Sequence, residues 1–216
     1  MLIFHIFITY CCFYAKQNLL LDESTSEQEL KTVWVIGSSI VKHAFVEARR
    51  SYDGCSLGLQ RKQYRVWWQG KGGMTWGELL PRIRFLLNIE SPPSILVIHC
   101  GGNSIGSTSL FDLRNFIKDD LLKIKKMLPH CKIVWSQILP RRSWRFSKNA
   151  KALNFVAARL NNYAAWLCIR LGGSYVKYPE ITWNIPGMFA ADGVHLSYLG
   201  NCFFLFNLQS ALLNMT

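Results

Sequence analysis

Thr32-Val33-Trp34-Val35-Ile36-Gly37-Ser38-Ser39 has the pattern of a buried strand that passes directly into a helix. The residues before Gly37 form an apolar run rich in β-branched side chains, which is typical of a parallel strand covered on both faces. The two serines then open an amphipathic segment. Because serine is a good N-cap residue, we expect a serine-capped helix over residues 40–50.

Four more apolar runs repeat this arrangement, at residues 64–68, 94–100, 132–137 and 174–178. Apolar residues at helical spacing follow these runs. They predict a helix that extends toward Leu87, with a regular part that starts near Pro81, and three more helices over residues 110–127, 150–171 and 199–213. Strands that alternate with helices form parallel sheets with helices on both faces. The sequence therefore predicts an α/β protein, a three-layer α/β/α sandwich with a five-stranded parallel sheet.

Length and composition fit one globular domain. The chain has 216 residues, of which 50% are hydrophobic and 18% charged, so it can bury a core without disulfides or metal. A polar stretch at residues 22–29 precedes the first predicted strand. We therefore expect an apolar N-terminal segment and polar linker at residues 1–30, followed by the folded domain at residues 31–216.

The seven cysteines form an odd set without CxxC spacing, and several lie within apolar runs. This favours buried free thiols in a reducing compartment over a disulfide framework or a zinc site. Residues 1–15 are apolar enough for a signal-peptide core, but no lysine or arginine precedes them, and they are too short to span a bilayer. We favour an intracellular protein, with secretion or membrane association as the alternative.

The chain is basic, with a formal net charge of +12. Such a charge favours anionic partners such as nucleic acid or anionic lipid, although an enzyme can also simply be basic. The predicted loop at residues 140–147 mixes cations with aromatic rings, and within it Trp144 and Arg145 are candidates for substrate binding. A solvated basic loop is the alternative interpretation of the same residues.

Polar residues suited to acyl transfer follow the predicted strands. Ser39 comes after the first strand, Gly73 after the second, Asn103 after the third, and Asp192 and His195 after the fifth. Sites in parallel sheets form at the carboxyl ends of the strands, so we expect these residues to meet. A serine, an imidazole and a carboxylate can form a nucleophilic triad, and a glycine N–H or an amide can stabilise an oxyanion.

These blocks, in this order, resemble the SGNH hydrolase superfamily, which includes the GDSL esterases and lipases. The matching blocks are Gly37-Ser38-Ser39, Gly72-Gly73-Met74-Thr75, Gly101-Gly102-Asn103-Ser104 and Asp192-Gly193-Val194-His195, and the resemblance spans about residues 32–213.

The resemblance implies a flavodoxin-like sandwich with Ser39 as nucleophile, His195 as base and Asp192 as the residue that orients the base. It further implies an oxyanion hole formed by the Ser39 N–H, the Gly73 N–H and the Asn103 side chain. Ser38 and Ser104 stand where the family usually has aspartate. Ser38 is an alternative nucleophile, although the position of the glycine favours Ser39.

The sequence thus predicts an esterase that acts on a small-molecule or lipid-like acyl or acetyl ester without metal or cofactor. The rival hypothesis is a catalytically weak SGNH-like module that binds nucleic acid or another polyanion through its basic surface, and the resemblance to domains associated with mobile elements suggests such an origin for it. Two more histidines are expected to have no catalytic role: we expect His99 to be a hydrogen-bonded core residue and His43 to lie on the surface of the first helix.

Overall fold

A computed structural model of the chain describes residues 30–216. It contains one five-stranded sheet with the order β2-β1-β3-β4-β5, and every pair of neighbouring strands is parallel. The strands are β1 (Lys31–Gly37), β2 (Tyr64–Gly70), β3 (Ile95–His99), β4 (Lys132–Ser136) and β5 (Ser174–Val176). The predicted α/β fold is confirmed, and the strand order is that of flavodoxin-like proteins.

Helices cover both faces of this sheet. They are α1 (Ser39–Ala48), α2 (Leu79–Leu86), α3 (Leu110–Met127), α4 (Ala150–Arg170) and α5 (Tyr198–Leu213), and two short 3₁₀ helices lie at Leu59–Lys62 and Trp76–Glu78. One core packs α2, α3 and α4 against one face, and the other packs α1 and α5 against the opposite face. Side chains of β1 alternate between the two cores, with Trp34 and Ile36 in the first and Val33 and Val35 in the second.

The strand order places a topological switch point between β1 and β3. The chain leaves β1 toward β2 on one side, and β3 to β5 lie on the other side. The connections therefore diverge at this point, and they open a crevice at the carboxyl ends of the strands. Ser39 follows β1 and Asn103 follows β3, so both border this crevice.

Local details differ from the sequence predictions. Helix α1 begins one residue earlier and ends at Ala48, and its N-cap residue Ser38 makes no side-chain capping hydrogen bond, so the expected serine cap is wrong. Helix α2 begins at Leu79, and Pro81 lies within its first turn. The first turn of a helix tolerates proline because its N–H groups have no partner within the helix.

Within residues 30–216, no helix is long and apolar enough to cross a bilayer. The apolar stretch at residues 1–15 lies outside the described residues. The boundary after residue 30 stays a prediction for the same reason, although β1 does begin at Lys31.

Candidate functional site

The turn between β1 and α1 presents Ser39 at the carboxyl edge of the sheet. A Cβ atom on Gly37 would lie 2.2 Å from the His99 carbonyl oxygen of β3 and 2.7 Å from the Val41 side chain, so only glycine allows this close approach. The Ser38 N–H donates to the same carbonyl oxygen at 3.3 Å. These contacts hold Ser39, the first residue of α1, half-buried at the crevice.

The loop before α5 brings Asp192 and His195 to Ser39. One carboxylate oxygen of Asp192, Oδ1, accepts the N–H groups of Val194 and His195, each at 2.9 Å. The other oxygen, Oδ2, lies 2.5 Å from Nδ1 of His195, whose Nε2 lies 2.8 Å from Ser39 Oγ. Gly193 has a φ of 69° at the tip of this turn, a conformation that favours glycine. The structure therefore brings the three predicted residues into one hydrogen-bonded chain.

Electrostatics set the roles that these groups can take. Partial burial opposes ionisation of Asp192, but hydrogen bonds from the His195 ring and from two backbone N–H groups outweigh it and lower its pKa to about 2. An ionised carboxylate only accepts hydrogen bonds, so the proton of a neutral His195 lies on Nδ1. Its Nε2 then faces Ser39 Oγ with a free lone pair and can accept the hydroxyl proton.

His43 contacts this chain from the side. It lies on the exposed surface of α1, as expected, but its ring stacks on the His195 ring with centroids 4.7 Å apart and planes inclined by 28°. Partial burial and the neighbouring His195 lower the pKa of His43. It lies one helical turn after Ser39, a spacing that puts the two residues on one face of α1 and that was visible in the sequence.

The loop after β2 carries Gly73 and is tied to the loop after β3. Gly73 has a φ of 70°, in the left-handed region, and a Cβ there would meet no atom within 4 Å, so its conformation is what favours glycine. The Asn103 Nδ2 donates to the carbonyl oxygen of Met74, the next residue, at 3.0 Å. Asn103 Oδ1 accepts from an arginine, Arg141, at 3.1 Å. The two candidate oxyanion donors thus belong to one connected assembly.

Glu78 stabilises the same loop from its other end. Its carboxylate accepts the backbone N–H of Thr75 at 2.8 Å and the Thr75 hydroxyl at 2.9 Å, and it pairs with Lys71. The hydrogen bond from Lys71, followed by those from Thr75, lowers the pKa of Glu78 to about 2. Ser104, one of the two positions where the family usually has aspartate, accepts the Trp76 N–H at 2.9 Å.

The basic loop after β4 packs mostly against the protein itself. Trp144 is buried, and its indole N–H donates to Asn154 Oδ1 at 3.1 Å. Arg142 donates to the carbonyl oxygens of Trp183 and Ile185. Arg145 is exposed, with its guanidinium 5.6 Å from the ring centroid of the neighbouring phenylalanine. Of the two predicted substrate contacts, therefore, only Arg145 presents its side chain to solvent.

His99 is a core residue, as expected. It is buried, its Nδ1 lies 2.9 Å from Ser136 Oγ, and burial lowers its pKa to about 3. The burial of Arg141 and its bond to Asn103 were not predicted, because the residues of this loop indicated only an anion-binding surface or a solvated basic loop. The available signal was its position in the loop that follows β4, at the edge of the sheet where site residues collect.

Metal ligands do not cluster in the described part of the chain. Among residues 30–216, no group of three or more histidine, cysteine, aspartate or glutamate side chains lies close enough to hold an ion.

Comparisons with known proteins bear on the fold. No family model matches the chain, and no curated protein matches it by sequence. Among solved structures, a GDSL-like lipase from Bacteroides thetaiotaomicron is 20% identical, with a TM-score of 0.64 over 94% of this chain and 97% of its own. An acetyl xylan esterase is 18% identical, with a TM-score of 0.63 over 84% of this chain and 99% of its own.

A member of the lipolytic G-D-S-L family from Veillonella parvula is 13% identical, with a TM-score of 0.65 over 83% of this chain and 97% of its own. Identities this low establish shared architecture, and the resemblance predicted from the sequence blocks is confirmed at that level. The chain has the fold of the GDSL-like lipases and acylhydrolases of the SGNH superfamily.

Proposed function

We propose that this protein is a serine hydrolase that cleaves carboxylic esters of acyl or acetyl groups through an acyl-enzyme intermediate. The observation that carries the proposal is the continuous hydrogen-bonded chain from Ser39 Oγ through His195 to Asp192. The similar folds of a lipase and an acetyl xylan esterase also support it.

The first half of the reaction forms the acyl-enzyme. His195 Nε2 takes the Ser39 hydroxyl proton as Oγ attacks the ester carbonyl, and Asp192 stabilises the imidazolium that results. The negative charge on the carbonyl oxygen is stabilised by the N–H groups of Ser39 and Gly73 and by the Asn103 amide. The tetrahedral intermediate then collapses: the ester C–O bond breaks, and the leaving alkoxide takes the proton from His195.

The second half releases the acid. His195, neutral again, takes a proton from a water molecule whose oxygen attacks the acyl-enzyme carbonyl. The same donors stabilise the second oxyanion. When this intermediate collapses, the bond to Ser39 Oγ breaks, and the proton on His195 returns to the serine.

Labelling with a fluorophosphonate tests the proposal most directly. The wild-type protein is expected to gain one adduct by intact mass, and Ser39→Ala and His195→Ala are expected to gain none, because the first lacks the nucleophile and the second lacks its base. Both variants should lose turnover of p-nitrophenyl acetate and retain the circular dichroism spectrum of the fold. Ser38→Ala is the matched control, and its adduct should persist.

Two outcomes contradict the proposal. A folded wild-type protein that acquires no adduct has no activated serine, and salt-dependent binding of nucleic acid would then support the rival hypothesis. An adduct that is lost in Ser38→Ala but persists in Ser39→Ala would identify Ser38, and not Ser39, as the nucleophile.

We also propose that the protein resides in a reducing, intracellular compartment. All five cysteines within the described residues are free. Burial raises the pKa of the Cys100, Cys131 and Cys168 thiols to about 12, so these groups are protonated and inert packing residues. Free thiols of this kind are typical of proteins that are kept reduced.

A further inference from the structure

Arg141 is a buried cation close to the candidate oxyanion donors. Only 9% of its surface is exposed. Its Nη2 donates to Asn103 Oδ1 at 3.1 Å, and its guanidinium lies 4.8 Å from the Trp144 ring centroid. A Cβ atom on Gly102 would lie 2.7 Å from the same Nη2, so the glycine makes room for it. The surrounding residues thus leave space for this guanidinium and contact it.

The backbone of Arg141 is held as firmly as its side chain. Its N–H donates to Asn154 Oδ1 at 2.9 Å, and its carbonyl oxygen accepts from Asn154 Nδ2 at 2.9 Å. The same Oδ1 accepts the Trp144 indole N–H. Asn154 lies on α4, so a rigid helix fixes the position from which the arginine reaches the site.

No carboxylate of the described residues is in contact with Arg141. None of the ion pairs among residues 30–216 includes it. Burial lowers its pKa to about 10, against an opposing effect of the Asp192 carboxylate, and this leaves it charged at neutral pH. A buried guanidinium that contacts no carboxylate costs free energy, and an anion that forms near it would offset that cost.

The cavity beside Arg141 is too small for a substrate anion. It measures about 10 Å³ and is lined by residues that include His99, Leu139 and Arg141 itself, which is room for about one water molecule. The charge therefore acts through the polar side chain that the guanidinium contacts, the Asn103 amide.

The Asn103 amide is fixed at both ends. Arg141 binds Oδ1, and Nδ2 gives one hydrogen to Met74 O, so an amide flip would break both bonds. An amide nitrogen carries two hydrogens, which leaves the second one available to a ligand. A cation on the amide oxygen also polarises the group and strengthens its N–H donors.

We propose that Arg141 is a positioning residue of the oxyanion hole, which holds the Asn103 amide in its donating orientation and places a positive charge behind it. This inference rests on the proposed ester hydrolysis. Because the charge on the carbonyl oxygen exists only in the tetrahedral intermediate and its transition states, Arg141 contributes to kcat and little to substrate binding.

A double-mutant cycle between Arg141 and Asn103 tests this role. We would measure kcat and KM for p-nitrophenyl acetate in Arg141→Met, Asn103→Ala and the double variant. Loss of one oxyanion donor lowers kcat by about 10²–10³. We expect Arg141→Met to lower kcat by about 10- to 100-fold with KM within about threefold, since the donor remains but is weakened. In the Asn103→Ala background the same change should lower kcat by less than about threefold.

Two further variants separate positioning from simple packing. Arg141→Lys keeps a charge but not the planar fork, so it should recover part of the kcat that Arg141→Met loses. Lys148→Met removes one positive charge from an exposed position of the same loop and should leave kcat and KM unchanged. If Arg141→Met does not fold, the same cycle is measured with Arg141→Lys, whose smaller loss in kcat should likewise vanish in the Asn103→Ala background.

The inference is overturned if removal of Arg141 lowers kcat by equal factors in both backgrounds, or if only KM or the melting temperature changes. Failure of the proposed function itself is recognised separately. A wild-type protein without a fluorophosphonate adduct removes the reaction and this inference with it, whereas a labelled protein whose kcat ignores Arg141 removes the inference alone.

Discussion

Replacement of Asp192 by asparagine separates the catalytic contribution of this residue from its structural one. The asparagine keeps Oδ1, which can still accept the N–H groups of Val194 and His195. It replaces Oδ2, which lies 2.5 Å from His195 Nδ1, by an amide nitrogen. That nitrogen donates and cannot accept, so it favours the tautomer of His195 with the proton on Nε2. The ring then has no lone pair for the Ser39 hydroxyl proton.

The expected loss in kcat is about 10⁴-fold, as for the same change in a serine protease triad. This corresponds to about 5.4 kcal/mol of transition-state stabilisation. The free energy of unfolding should change by less than about 1 kcal/mol, because the turn keeps its two backbone hydrogen bonds. Asp192→Ala loses those bonds as well, so it should lose activity and about 1 kcal/mol or more of stability.

The assay is hydrolysis of p-nitrophenyl acetate, with urea unfolding measured on the same preparations. Asp119→Asn, on the exposed side of α3, makes the same change in charge and serves as the control. An Asp192→Asn variant that retains kcat within tenfold of the wild type would refute the reasoning, because Asp192 would then not set the tautomer of His195. A large loss of stability in the same variant would show that the turn, and not the tautomer, had changed.

Two further predictions concern His43, which stacks on His195, and Glu78, which stabilises the loop that carries Gly73. The ring centroids of His43 and His195 are 4.7 Å apart, so His43→Lys places a permanent cation against the His195 ring. This cation should disfavour the imidazolium form of His195, lower kcat and shift the acid limb of the kcat/KM profile to lower pH. His43→Phe keeps a ring and should leave that limb in place; identical profiles for the two variants would contradict the prediction. The pKa of Glu78 falls from an ordinary 4.5 to about 2 on folding, so its carboxylate contributes stability above about pH 4.5 that is lost as the pH falls through about 2. Urea unfolding between these pH values should show a steeper loss for the wild type than for Glu78→Gln, and equal slopes would count against the Thr75 and Lys71 contacts as the cause.

The layers of the fold could be predicted because they follow from local patterns. The apolar runs and the helical spacings are properties of neighbouring residues, and they located all five strands and all five helices to within a few residues. The predicted end of α1 and the predicted serine cap were wrong, and the cap failed for a physical reason. Capping depends on where a hydroxyl points, and the propensity of serine at that position does not determine this.

The sequence also identified the residues that meet at the candidate site. Ser39 and Asn103 each follow a strand, and parallel strands bring their carboxyl ends to one edge, so their proximity follows from topology. The role of Arg141 does not follow in this way. Its residue type and charge predict a solvated surface, and its burial depends on the space left by Gly102 and on the clamp formed by Asn154.

Local sequence patterns therefore encode the α/β architecture and the chemical groups available at the sheet edge, because periodicity and strand-end position depend on neighbouring residues. The distances and partners of these groups depend on tertiary packing: the 2.8 Å contact between Ser39 and His195, the stacking of His43 on that imidazole, and the bond from Arg141 to Asn103. Ser39 and His195 are 156 residues apart in the chain, and no local pattern records the packing that closes such a separation. Hydrogen bonds form only at short separations and charge interactions weaken with distance, so their effects depend on that packing.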